Sequence, residues 1–272
     1  MSGKNFGRYQ RKKKKGKAPY TAKPQSRPDE MRLNKYIAHS GICSRRDADT
    51  LIADGKVKVD GKVITEMGFK VNPSSEVKVD DKVINPEPFV YILMYKPHDT
   101  ITTTDDEKGR RTVMDLIEKA TGKRVYPVGR LDRNTTGVLL LTNDGELANR
   151  LMHPRYEKAK YYEVTCDRTL MKDQLERINK GVELDDGKAK PFFVRVELPY
   201  KNVVTIGVHE GRYHMVRRMI EAVGAEVKEL KRTDYAGLTL TGLRPGRWRY
   251  LRPTEVNELR KSVKLKELKI TR

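Results

Sequence analysis

The segment 129-GRLDRNTTGVLLLTNDG-145 sets one carboxylate, Asp132, between two arginines, Arg130 and Arg133. Asn134, Thr135, Thr136 and Gly137 follow as a polar turn, and then the apolar run Val138–Leu141. An acid flanked by cations is most often an ion pair at or near the surface. Three features point further. The turn is built of small polar residues, a common place for reactive groups. The apolar run behind it anchors the turn. Neighbouring cations favour the charged carboxylate, which suits a nucleophile or a base and not a general acid. Metal-dependent nuclease chemistry is the competing use of acids, with Asp144 as a companion. However, 143-NDG-145 reads as a turn, and no third or fourth acid stands at persuasive spacing. His209 and His214 lie five apart and read as ordinary polar residues rather than ligands. Cys43 and Cys166 are too distant in sequence for a zinc motif or a disulfide framework. No metal site is expected from these residues.

The elements that must hold such a site belong to a strongly basic chain. Its 272 residues carry 57 Lys and Arg against 37 Asp and Glu, a net charge of +20. That excess repels itself unless a polyanion absorbs it, so nucleic acid is the leading partner. No apolar run is long enough to span a bilayer and no signal-peptide core follows the basic N-terminus, so a cytoplasmic protein without a membrane partner is expected. Residues 1–30 read as a disordered basic arm, with ten Lys and Arg and no acid over 1–28. Order begins near Met31. Leu33 and Ile37 have helical spacing, and Ser44 with Asp47 forms a capping box for a second helix that stops near Gly55. Val57, Val59 and Val63 flank Asp60-Gly61, a two-residue hairpin signal, and 76-EVKVDDKVI-84 alternates again. Residues 31–84 thus form a small unit with Arg45, Arg46, Lys56, Lys58 and Lys62 along it. Residues 85–88 are a stiff linker. Beyond it, strands are expected at 89–97, 138–142, 160–166, 192–198 and 202–208. Helices are expected at 146–152, 169–180 with Thr169 as cap, 212–223 and 253–262. Strands and helices mix without a βαβ rhythm, so the fold class is α+β with a mostly antiparallel mixed sheet flanked by helices. No internal repeat stands out.

The stretch 31-MRLNKYIAHSGICSRRDADTLIADGKVKVDGKVI-64 resembles the S4-type RNA-binding domain from end to end, with its helix pair and hairpin. The resemblance implies that Arg45, Arg46, Lys56, Lys58 and Lys62 grip structured RNA, chiefly through its backbone and shape. The stretch GRLDRNTTGVLLLTNDGELANRLMHP resembles the signature of bacterial ribosomal-RNA pseudouridine synthases, in the branch with an N-terminal S4-type domain. The segments 89-FVYILMYKP-97, 160-KYYEV-164 and 210-EGRYHMVRRMIEAVG-224 match independently, with Met215 where many relatives have Gln. The family resemblance runs from about residue 31 to 256. It implies a catalytic domain over 89–256, followed by a basic tail over 257–272.

What it implies chemically is isomerisation of a uridine in ribosomal RNA, free or in a pre-ribosomal particle, without a small-molecule cofactor. Asp132 would act at the ribose, either attacking C1′ or taking the C2′ proton. Arg217 would pair with Asp132, and Tyr162 would stack on the detached base. Taken by themselves, Tyr162 also reads as a core aromatic on a strand, and Arg217 as a phosphate contact or part of a basic helix face. Tyr161 faces the opposite way by strand alternation. Arg130 and Arg133 would hold the turn or contact RNA. The likeness favours a large-subunit (23S) enzyme, and a monomer is the default expectation. A small-subunit (16S) enzyme and a non-catalytic assembly factor with the same fold are the alternatives.

Overall fold

The computed structural model describes residues 30–269. The basic arm expected over residues 1–30 lies outside them but for Glu30. Among the described residues, no helix is long and apolar enough to cross a membrane.

The N-terminal unit forms as its pattern implies. Helices Leu33–His39 and Arg45–Ala53 pack together. Ser44 Oγ accepts from Asp47 N and Asp47 Oδ2 accepts from Ser44 N, both at 3.2 Å, which closes the capping box. Two hairpins then lie side by side as a four-stranded antiparallel sheet, in the order Lys62–Val63, Val57–Val59, Val77–Val79, Lys82–Ile84. Here the sequence does contain a repeat: 77-VKVDDKV-83 echoes 57-VKVDGKV-63. Both turns use two left-handed residues, Asp60 with Gly61 and Asp80 with Asp81. Asp tolerates that conformation, so the second turn works without glycine and hides the likeness. Leu33, Ile37, Ile52, Val57 and Val77 form the shared core. Contacts that join the unit to the rest include Arg124 Nη1 donating to Cys43 O at 3.1 Å, Lys35 Nζ lying 3.9 Å from Glu146 Oε2, and the His39 and Phe89 rings stacked 4.8 Å apart.

The larger region is built on a nine-stranded sheet. Its main path runs Phe193–Val196, Val203–Val208, Lys160–Cys166, Val227–Tyr235, Thr136–Thr142, Tyr91–Lys96, Trp248–Tyr250. All pairs along it are antiparallel except Val227–Tyr235 with Thr136–Thr142, so the α+β expectation of a mostly antiparallel mixed sheet holds. One apolar cluster packs helices Lys172–Lys180 and Met215–Glu221 on the sheet around Val164, Ile206 and Leu230. A second cluster packs helices Gly145–Met152 and Pro253–Ser262 against Leu93, Val138 and Leu140.

Four expectations need correction. The helix expected at 169–180 begins at Lys172, where Gln174 accepts from Met171 N at 2.8 Å, so Thr169 is not its cap. The helix expected at 212–223 spans only Met215–Glu221, because His214 is left-handed and starts it late. The strands Val227–Tyr235 and Trp248–Tyr250 were not anticipated. The boundary at 256 also moves: Leu259 and Val263 are core residues, and buried Arg260 pairs with Asp144 at 2.5 Å. Asp144 also accepts from Tyr91 Oη at 2.9 Å and Leu147 N at 3.0 Å. It is therefore a helix cap and an anchor for the C-terminal helix.

Candidate active site

The turn bearing Asp132 is held from beneath by a buried cation. Lys96, 0% exposed, closes the Tyr91–Lys96 strand. Its Nζ donates to three carbonyls: Thr135 O at 2.8 Å, Arg133 O at 3.0 Å and Pro97 O at 3.1 Å. Burial pushes its pKa down to about 8, opposed by Asp132 and Asp99. From the side, Thr102 Oγ1 donates to Leu131 O at 2.8 Å. Within the turn, Thr135 N donates to Asp132 O at 3.1 Å and Thr135 Oγ1 to Asp132 Oδ2 at 3.3 Å. Gly137 then brings the chain into the sheet at φ +114, where an added Cβ would lie 2.1 Å from Arg232 O. Only glycine fits that crossing. The end of the GRLDRNTTG stretch is thus fixed by a close approach of two strands.

Asp132 and Tyr162 line one cavity of about 900 Å³. Its walls are the Gly129–Arg133 turn, the Ile101–Thr104 segment and the Glu210–Val216 loop. Tyr162 is 9% exposed and points inward. Tyr161 takes the other face, edge-on to Phe192 and Phe193. Arg212 ties the Glu210–Val216 loop down by donating to Asp186 O, Gly187 O and Lys188 O at 2.9–3.0 Å.

The basic side chain facing Asp132 is not the expected one. His214 Nε2 lies 3.4 Å from Asp132 Oδ1, whose side chain is 38% exposed. Among the described residues no ion pair joins Arg217 to Asp132, and Arg217 does not line the cavity. Met215, Val216, Met219 and Ile220 turn the core face of their helix inward, which leaves Arg217 and Arg218 on its outer side. Arg218 there pairs with Asp186 at 2.9 Å. Arg130 and Arg133 are both exposed at the cavity wall, and Arg133 pairs there with Asp99. In the N-terminal unit Arg45, Arg46, Lys56 and Lys62 are exposed, and Lys58 is drawn to Asp81 at 2.6 Å.

Sequence reasoning assigned no role to Lys96, Lys160, His214 or Arg232. The last three line the cavity. A signal for Lys96 existed: one lysine ends an otherwise apolar strand, just before Pro97. Lys160 stands two residues before Tyr162 and so shares its face. Burial presses its pKa down to about 8, with Arg232 adding to this and Glu210 opposing it.

The sequence pattern of RNA pseudouridylate synthases matches residues 90–222, and that of the S4 domain residues 31–77. Ribosomal large subunit pseudouridine synthase B of Bacillus subtilis (strain 168) is 46% identical over 233 residues, 84% of this chain and 95% of that one. The chain belongs to the RNA pseudouridylate synthase family. Dual-specificity RNA pseudouridine synthase RluF of Escherichia coli (strain K12) is 38% identical, over 87% of this chain and 81% of that one. A crystal structure of a pseudouridylate synthase superposes with a TM-score of 0.61 at 27% identity, covering 84% of this chain and 99% of that one. A pseudouridylate synthase is an isomerase. It breaks the uridine N1–C1′ bond and rejoins the same ring through C5. The chemistry requires a reactive group at the ribose and room for the base to turn. A cavity of about 900 Å³ is at the upper end of the usual range for bound small molecules.

Proposed function

We propose that this pseudouridylate synthase isomerises a uridine of large-subunit ribosomal RNA, with Asp132 acting at the ribose. The observation that carries the reading is the rigid mounting of Asp132 on the wall of a cavity it shares with Tyr162. A fixed carboxylate is in place before substrate arrives, so little reorganisation is left for the reaction. In one route an Asp132 oxygen bonds to C1′ as N1 leaves with the electron pair. The ring turns, C5 attacks C1′, the carboxylate departs, C5 loses its proton and N1 gains one. In the other, Asp132 takes the C2′ proton as N1 leaves with the C1′–N1 electron pair to give a glycal, and C5 then bonds to C1′ as the proton returns to C2′, after which C5 loses its proton and N1 gains one. Tyr162 supports the free uracil in either route. Arg217 belongs to this reading through the family resemblance, and His214 occupies the position expected of it beside Asp132. Exposed Arg130 on the cavity wall and Arg45, Arg46, Lys56 and Lys62 on the N-terminal unit would hold RNA backbone while one uridine is flipped inward.

The large subunit is favoured by the 46% identity to the ribosomal large subunit pseudouridine synthase B of B. subtilis, and such a substrate would be met in the cytoplasm. The reading is tested by incubating unmodified 23S and 16S rRNA with the enzyme and mapping pseudouridine by carbodiimide-dependent reverse-transcription stops. One new stop in 23S rRNA is expected. New stops confined to 16S rRNA would overturn the subunit assignment.

A further inference from the structure

Arg232 is a charged side chain that the fold buries and leaves partly unpaired. It is 2% exposed, on the Val227–Tyr235 strand. Its Nε donates to Val138 O at 2.8 Å, and its guanidinium lies over the Tyr235 ring, 4.8 Å from the centroid. Those contacts fix the plane of the group. Its Nη2 is buried without a hydrogen-bond partner among the described residues. A guanidinium cannot shed its charge to escape this, so the orphaned donor is costly and calls for an explanation.

Lys160 stands with Arg232 in the wall of the same cavity. Its Nζ donates to His209 O at 2.8 Å, and an ammonium has two further hydrogens. Neither residue forms an ion pair among the described residues, although Glu210 tempers Lys160 from a distance. Two cations held close in a partly dry cavity repel each other, and an anionic ligand between them would relieve the repulsion.

We infer that Arg232 Nη2 and Lys160 Nζ form an oxyanion site for the uracil ring once it has left the ribose. The inference rests on the isomerase reading above. When C1′–N1 breaks, the electron pair stays on the ring and spreads from N1 onto the carbonyl oxygens. That charge persists until C5 bonds to C1′ and N1 regains a proton. Donors fixed in advance at the charged oxygen stabilise this stage far more than the neutral uridine. An RNA phosphate is the other anion that could meet such donors. Arg232 is buried in the cavity wall, away from solvent where a phosphate backbone would run, whereas Arg130 is exposed.

The test compares wild type, Asp132→Asn, Lys160→Met, Arg232→Gln and Arg232→Lys in single-turnover release of tritium from uridine C5. RNA affinity and thermal melting are measured on the same preparations, and rates are read on whichever rRNA the wild type modifies. Lys160→Met is expected to slow turnover at least tenfold with RNA affinity within twofold of wild type. Arg232→Gln is expected to lose at least a hundredfold, and Arg232→Lys to recover part of it. Unchanged turnover in Lys160→Met would overturn the inference. So would a loss carried wholly by RNA affinity, which marks a phosphate contact. If Arg232→Gln does not fold, Lys160→Met decides alone. Activity in Asp132→Asn would count against the parent reading and not against this site.

Discussion

Lys96 shows how much of the site hangs on one side chain. Replacing it with Met would strand the carbonyls of Pro97, Arg133 and Thr135 in a buried setting. Lys96→Met is expected to cost on the order of 2–4 kcal/mol in chemical denaturation and to reduce turnover more than RNA affinity. Lys96 and Lys160 also set a pH dependence. Both have folded pKa values lowered to about 8, against about 10.4 in an unfolded chain. Between these values the unfolded chain binds more protons, so their contribution to stability rises with pH. Turnover is nevertheless expected to fall as pH climbs through about 8, because the Lys96 clamp and the Lys160 charge weaken. Activity and melting temperature measured in parallel from about pH 7 to 9.5 should therefore diverge. An activity loss that tracks melting would contradict this. Asp132 and Tyr162 could be singled out from the sequence because short signatures carry them. Arg232 could not, because nothing in 227-VKELKRTDY-235 distinguishes a buried arginine from a solvated one.

At the scale of elements, most strands and helices were readable, since apolar residues recur at the right period in each. The Val227–Tyr235 strand was not. Its outward positions are charged, one inward position is Arg232, and irregularities beside Tyr161 and Thr165 break its register with Lys160–Cys166. Gly137 is where this strand meets Thr136–Thr142. Gly137→Ala is expected to destabilise the fold by about 3 kcal/mol or more, or to prevent soluble expression, since the new methyl group would overlap backbone. A Gly137→Ala protein with wild-type melting would show that the crossing can give way. The C-terminal helix was expected, but its role was not. Its pairing with Asp144 spans 116 residues of sequence, which local patterns do not report. Arg260→Met leaves Asp144 without its buried cation and is expected to cost about 3–5 kcal/mol by urea denaturation. A change below about 1 kcal/mol would mean that Tyr91 and Leu147 suffice for Asp144.

For the whole molecule, the proposed function has the basic S4 unit hold RNA while the cavity around Asp132 reacts with it. Two linked weak sites raise effective concentration without tight contact at either. Arg45→Ala combined with Arg46→Ala is expected to weaken rRNA binding and to lower its log–log salt slope by roughly 1.4–1.8. Single-turnover rate at saturating enzyme should stay near wild type. A lower rate with an unchanged salt slope would place the pair in the chemistry instead. The basic residues of the N-terminal unit were visible in the sequence. Of the contacts that join the two parts, the bond from Arg124 to Cys43 links residues 81 apart and had no local signal.

The central claim is that Asp132 performs glycosidic chemistry on a flipped uridine. It is tested most directly with rRNA tritiated at uridine C5, incubated with wild type and with Asp132→Asn without added metal. Release of tritium by the wild type, and loss of at least a thousandfold in Asp132→Asn with RNA binding retained, is the expected result. Comparable release by both proteins would contradict it and move the chemistry to another group in the cavity.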